Sequence, residues 1–173
     1  MNSKVLNKGI GLIEALLYVA LMSLLTIMVI NTALAMNTTS AKARLKRNIL
    51  GEVGIATERM IREIRLANSV LVAESALAVN PGILKINTTI DENNSTPITK
   101  EFYLADGKLM MKEGGNQAIA LTERVAVTRL IFYHTVSGTV SEAVVLEVTA
   151  EDTIKNLTEI KTFNTSTVLR RSY

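Results

Sequence analysis

The chain has 173 residues, 48% of them apolar, with a net charge of +3 and a mean hydropathy of +0.27. That size holds one domain plus an anchor and excludes a multidomain enzyme; the charge is too small to mark a nucleic-acid binder by itself. Cys and Trp are absent and aromatics make up 4%, which removes disulfides and thiolate metal sites and argues against a stacking platform for bases or sugars.

The chain opens on a basic leader with Lys4 and Lys8, then Gly9, then Ile10-Gly11-Leu12-Ile13-Glu14. From Ala15 to Met36 no residue is charged. A helix of about 20 residues crosses a bilayer core, and Leu16, Leu17, Ala20, Leu21, Leu24 and Leu25 are good helix formers. Ser23, Thr26, Asn31 and Thr32 interrupt the run, but small hydroxyls can bond back to the helix backbone. Glu14 is the costly residue, at roughly 3 kcal/mol in a membrane segment. Such a group is kept for a partner or a pathway; the plainer alternative places it among headgroups, reached by partial snorkelling.

Four readings compete for this segment. A buried soluble helix conflicts with its length. A cleaved secretory signal has a candidate site at Ala33-Leu34-Ala35, but a signal core is about 7–15 residues long. A plain signal anchor accounts for the length and leaves Gly9 and Glu14 unexplained. The fourth reading accounts for all of it. Lys8-Gly9 followed by Ile10-Gly11-Leu12-Ile13-Glu14 resembles the cleavage and methylation signature of type IV prepilins and pseudopilins. That resemblance implies cleavage after Gly9 by a prepilin peptidase on the cytoplasmic side and methylation of the new amine at Ile10. It places the family's acid at Glu14, the fifth residue after the cut. Ile10 stands where the family usually has Phe, and Gly11 where Thr is common. The implied role of Glu14 is to pair with the terminal amine of a neighbouring subunit, setting register in a low-dielectric bundle.

After Met36 come Asn37-Thr38-Thr39-Ser40, then Lys42, Arg44, Lys46 and Arg47. This cluster could meet anionic headgroups or form a solvated helix face. Positive-inside counting would draw it to the cytoplasm, whereas the processing motif requires the leader there. Apolar residues then recur at Leu45, Ile49, Val53, Ala56, Met60, Ile64 and Ala67, a helical stripe. Lys46, Glu52, Glu58, Arg59, Arg62 and Glu63 are expected opposite, with Glu58 and Arg62 as an i,i+4 pair. Gly51 and Gly54 each weaken the helix by about 1 kcal/mol and mark a candidate bend. Asn68-Ser69 is the expected end. The expected organisation is leader 1–9, membrane and assembly helix 10–36, amphipathic half of the same helix 37–68, and head 69–173.

The head reads as strands. Val70–Val79 fits strand or helix, and Pro81-Gly82 is a turn. Ile83, Leu84, Ile86 and Ile90 suggest a strand, and 91–97 a loop. Asp106-Gly107 between Phe102–Ala105 and Lys108–Met111 predicts a hairpin. A long strand is expected from Val125 to near Gly138, followed by Val144–Val148 and Ile160–Leu169, with Phe163, Thr165, Thr167 and Leu169 on one face of the last. The expected fold class is α+β: a long N-terminal helix packed on an antiparallel β-sheet head, as in pilins. Glu58–Arg65 and Thr165–Arg171 also resemble minor pseudopilins of the J type or related minor pilins.

The sequence contains no nucleophile elbow, P-loop or zinc motif. His134 is the single His and reads as a structural residue. Asp91-Glu92-Asn93-Asn94 offers oxygen ligands without the spacing or the Gly of a calcium loop. No enzyme activity, metal or cofactor is expected. The resemblance implies a structural subunit at a filament tip or in priming. Its partners would be other pilin or pseudopilin subunits, the prepilin peptidase, an inner-membrane assembly platform and the lipid bilayer; no direct nucleic-acid contact is expected. It would cross the inner membrane once with its head outside, or stand in an extracellular filament. The alternative is a non-polymerising, membrane-anchored binding or sensor domain.

Overall fold

A computed structural model of the protein describes residues 6–91, 94–137 and 141–169, with side chains described for 11–89, 96–136 and 141–169. Helix α1 runs unbroken from Leu6 to Leu66. The chain forms two units, Met1–Ala41 and Lys42–Tyr173. In the first, every residue from 11 to 40 is exposed.

In the second unit α1 is a core helix. Leu45, Ile49, Val53, Ala56, Met60, Ile64 and Ala67 are all at most 1% exposed. This is the stripe expected from the 3–4 spacing. Gly51 and Gly54 remain helical. Their flanking anchors Ile49, Val53 and Ala56 are buried, and that packing outweighs the weak propensity of two glycines. The helix stops at Leu66, slightly before Asn68. The Asn68 N–H donates to the Asn87 carbonyl at 2.8 Å, turning the chain into the sheet.

Two residues assigned to the outer face belong elsewhere. Glu52 and Glu63 are half-buried at the borders of the stripe. Glu52 Oε1 accepts the backbone N–H groups of Glu123 and, at 2.9 Å, Arg124. Glu63 Oε2 lies 2.7 Å from Lys100 Nζ. Glu58 and Arg62 are both exposed, and among the described residues no ion pair within 4.0 Å joins them. An exposed pair of long side chains gains too little to hold one geometry.

The head contains two antiparallel sheets. The first has five strands, β1 (Ser69–Val70), β2 (Leu84–Asp91), β3 (Asn94–Ala105), β4 (Lys108–Glu113) and β5 (Ile119–Ala120), in sequence order. The second has three, β6 (Ala126–Ser137), β7 (Ser141–Ile154) and β8 (Leu157–Val168). Residues 70–79 are neither of the expected long elements: β1 is followed by a short 3₁₀ turn, Val72–Glu74, and a bridge between Ala76 and Ile83. The hairpin at Asp106-Gly107 is present, with Ala105 opposite Lys108. Both turn residues have positive φ, 51° and 71°, as a two-residue type I′ turn demands.

The expected loop over 91–97 is corrected at 91 and at 94–97, residues 92 and 93 lying outside those described. β2 extends to Asp91 and β3 begins at Asn94, with Pro97 opposite Thr89. Pro97 is tolerated because β4 pairs β3 only from Lys100 onward, so at Pro97 the strand has one ladder partner and can spare a donor. β7 is also longer than Val144–Val148, and it turns into β8 through Lys155-Asn156.

One core fills the second unit. It joins α1 residues Ile49 to Ile64, and Ala67 just past the helix, with Leu84, Ile86, Phe102, Leu109 and Met111 of the first sheet. From the second sheet it takes Val127, Leu130, Phe132, Val144, Leu146, Val148 and Ala150. A bulge between Val127 and Arg129 lets Val127 and Leu130, three residues apart, both point inward. The segment before β2 joins the sheets: Ala78 N–H donates to Phe132 O at 2.8 Å, and Gly82 N–H to Leu130 O at 2.8 Å. A Cβ on Gly82 would meet Leu130 O and Phe132 Cδ2 at 3.1 Å, so a larger residue here would force these neighbours to give by a few tenths of an ångström.

Lys100 ties the helix to the sheet, pairing with Glu63 at 2.7 Å and Glu113 at 3.3 Å. Burial opposes its charge, but bonds to and charges on the two carboxylates prevail and hold its pKa above 10.5. The folded head therefore keeps this proton at pH values where the unfolded chain releases it. The resulting stabilisation is complete below pH 10.5 and is lost as pH rises through the folded value. Denaturant midpoints of the head measured from pH 9 upward are expected to fall less steeply in Lys100→Met than in the wild type.

Candidate functional site

The feature that the core does not absorb is the apolar part of α1. An 18-residue window there reaches a mean hydropathy of 2.3, and none of it is buried. Its length and composition make it a candidate single membrane span. Leu12, Ile13, Leu16, Val19, Met22 and Val29 are each more than 60% exposed, a large apolar surface for a chain in water.

The local chemistry fits a dry environment. Ser23 Oγ donates to Ala20 O at 2.8 Å, Thr26 Oγ1 to Met22 O at 2.7 Å and Thr32 Oγ1 to Met28 O at 2.8 Å. Thr38 and Thr39 both donate to Ala35 O at 2.9 Å. Each hydroxyl that hydropathy counts against the span is thus bonded within the helix, as expected for Ser and Thr.

Glu14 is different. Its described contact is the Tyr18 hydroxyl, which donates to Oε1 at 3.3 Å from one turn on. That is longer than an ordinary O–H···O bond. One long neutral donor leaves most of a carboxylate's demand unmet, since an ionised carboxylate has about four acceptor positions. Tyr18 was not singled out from the sequence, although its i,i+4 spacing from Glu14 was the available signal. Gly9 and Ile10 lie in α1, but their side chains fall outside those described. The structure therefore gives the expected cleavage site a helical backbone.

Lys42, Arg44, Lys46 and Arg47 are all exposed, and among the described residues none of the four has a carboxylate within 4.0 Å.

The head offers less. His134 Nε2 lies 3.1 Å from Glu142 Oε2, which also accepts the Val70 N–H at 3.0 Å. The pair fastens β1 to the second sheet. Among the described residues no group of three or more His, Asp or Glu could hold a metal ion. Of the acidic stretch 91–94, residues 92 and 93 and the side chains of 91 and 94 lie outside those described, as do Arg170 and Arg171. A cleft of about 440 Å³ is lined by Glu74, Lys85, Glu101 and Lys112. Its charges answer one another: Lys85 pairs with Glu74 at 3.3 Å, and Glu101 faces Lys112 across the ladder.

No protein-family model matches the chain. No curated protein and no solved structure matches it either.

Proposed function

We propose that the protein is a minor pilin or pseudopilin, a structural subunit that assembles through its N-terminal helix into a filament of the type IV pilus or type II secretion kind. The observation that carries this reading is the order Lys8-Gly9-Ile10-Gly11-Leu12-Ile13-Glu14 immediately before an uncharged run to Met36. A single apolar helix leading into an α+β head is the architecture such a subunit needs. Glu14 supports it further: a membrane-depth carboxylate with one 3.3 Å donor calls for a cation, and a neighbour's terminal amine at Ile10 supplies one. A tip or priming role is favoured over the bulk subunit by the J-type resemblance. The role is structural, and the head stands on the extracytoplasmic side.

Mass spectrometry of the protein from its native membrane tests the reading. The expected mature chain begins at a methylated Ile10, and a bulky residue in place of Gly9 leaves the leader attached. A mature chain beginning at Met36 would establish ordinary signal cleavage and remove the packing helix, overturning the proposal. An unprocessed chain that remains monomeric in the membrane would select the anchored binding or sensor domain instead.

A further inference from the structure

We propose that Lys42, Arg44, Lys46 and Arg47 form a collar that binds anionic phospholipid headgroups in the leaflet from which the chain leaves the bilayer. The inference requires the membrane span and not the filament.

Three observations carry it. The first is charge. From Asn37 to Gly51 the chain has four cations and no acid. None of the four is paired among the described residues, and the neighbouring acid Asp152 is held by Asn48 at 3.2 Å. The positions four residues after Arg44, Lys46 and Arg47 are Asn48, Leu50 and Gly51, so helical neighbours offer no carboxylate either.

The second is angular spread. At about 100° per residue, with Lys42 as origin, Lys46, Arg47 and Arg44 fall near 40°, 140° and 200°, while the buried Leu45 and Ile49 fall near 300° and 340°. The cations thus spread over about 200° of the helix circumference, from Lys42 at the edge of the core-facing side round to Arg44. An acidic protein surface would meet one side of a helix. A planar headgroup layer meets all of them.

The third is depth. The polar stretch Asn37–Ala41 is helical and rises about 7.5 Å. That matches the roughly 5–7.5 Å by which each interfacial layer extends beyond the hydrocarbon core. Helical side chains lean toward the helix N-terminus, so long Lys and Arg side chains starting at residue 42 lean back toward that layer. Each basic residue near an anionic surface favours it by roughly fivefold.

The chain has no Cys, so a single Asn37→Cys supplies a unique fluorophore site in the full-length protein. The labelled protein is reconstituted in vesicles of phosphatidylcholine with a minority of phosphatidylglycerol. Energy transfer is measured to a headgroup-labelled acceptor of either lipid. The expected result is at least about twofold enrichment of the anionic acceptor over the zwitterionic one at about 0.1 M salt. It should vanish near 1 M salt, where the Debye length falls from about 10 Å to about 3 Å. It should also vanish in a Lys42→Gln, Arg44→Gln, Lys46→Gln, Arg47→Gln variant whose circular dichroism matches the wild type. Equal transfer to both lipids, or enrichment that survives the four substitutions, overturns the proposal. Equal transfer would leave the cations free for an acidic protein partner.

Discussion

Glu14→Ala is expected to leave the protein folded, inserted and processed, and to remove it from the assembly. Loss of the carboxylate eases insertion by roughly 3 kcal/mol, so poor membrane recovery is not anticipated. Nor does the head depend on it, since the core begins at Leu45 and Ile49. On the proposed filament role, what disappears is the counter-charge for a neighbouring subunit's amine. Removing one member of a buried ion pair costs roughly 3–5 kcal/mol, and crosslinking to adjacent subunits in native membranes should fall by about tenfold or more. Glu14→Gln should fall as far, because it keeps a hydrogen-bonding group and loses the charge. Tyr18→Phe removes only the 3.3 Å bond and should cost less than about 1 kcal/mol. Wild-type crosslinking by Glu14→Ala, or an equal defect in Tyr18→Phe, would show that the acid is not a partner for another chain.

The second large effect concerns the head. A chain beginning at Asn37 is expected to be soluble, largely monomeric at low concentration and cooperatively folded, with circular dichroism of mixed helix and strand. Its core residues from Leu45 to Leu169 all remain, whereas the apolar surface before them is gone. In that chain Ile64→Asp is expected to cost roughly 3–5 kcal/mol. Ile64 is 0% exposed within the cluster that joins the helix to both sheets. An aspartate there has no room to reach water. Lys100 is already engaged by Glu63 and Glu113. A head that is disordered without the apolar segment, or an Ile64→Asp head with unchanged urea midpoint, would show that the stripe does not organise the fold.

The collar bears on how the protein is oriented. The usual charge bias places Lys and Arg in the cytoplasm, and four cations follow the candidate span. If the head stands outside, the leader with Lys4 and Lys8 is held inside against that bias. Anionic lipid bound on the far side would then offset part of the cost of carrying the cations across.

Much of this architecture was legible from spacing. The stripe from Leu45 to Ala67 identified the core face of α1 residue by residue, because a 3.6-residue period admits one buried side. The Asp106-Gly107 hairpin was readable because type I′ turns require two positive φ angles and few dipeptides supply them. Alternation placed Phe163, Thr165 and Thr167 on one face of β8 and Leu169 just past its end, and these are half-buried or buried while Thr162, Asn164, Ser166 and Val168 are exposed. The turn at Lys155-Asn156 was not readable. Lys155 has φ 56°, and no local preference of lysine announces that. The loop expected over 91–97 failed for a related reason: polar residues and a proline describe a loop and an outlying strand end equally well.

In the candidate site, the sequence by itself determined the apolar run, the acid within it and the cations after it. Those are properties of residue type and order, and no fold can change them. Tertiary structure alone decided that the strands divide into two sheets, because pairing depends on which edges meet and not on any strand's own pattern. It decided that Glu52 and Glu63 turn inward, to backbone N–H groups of 123 and 124 and to Lys100. Periodicity puts a border residue near the core without saying which donor waits there. It also left the four cations, among the described residues, without a carboxylate within 4.0 Å, which follows from distances that only the folded chain sets.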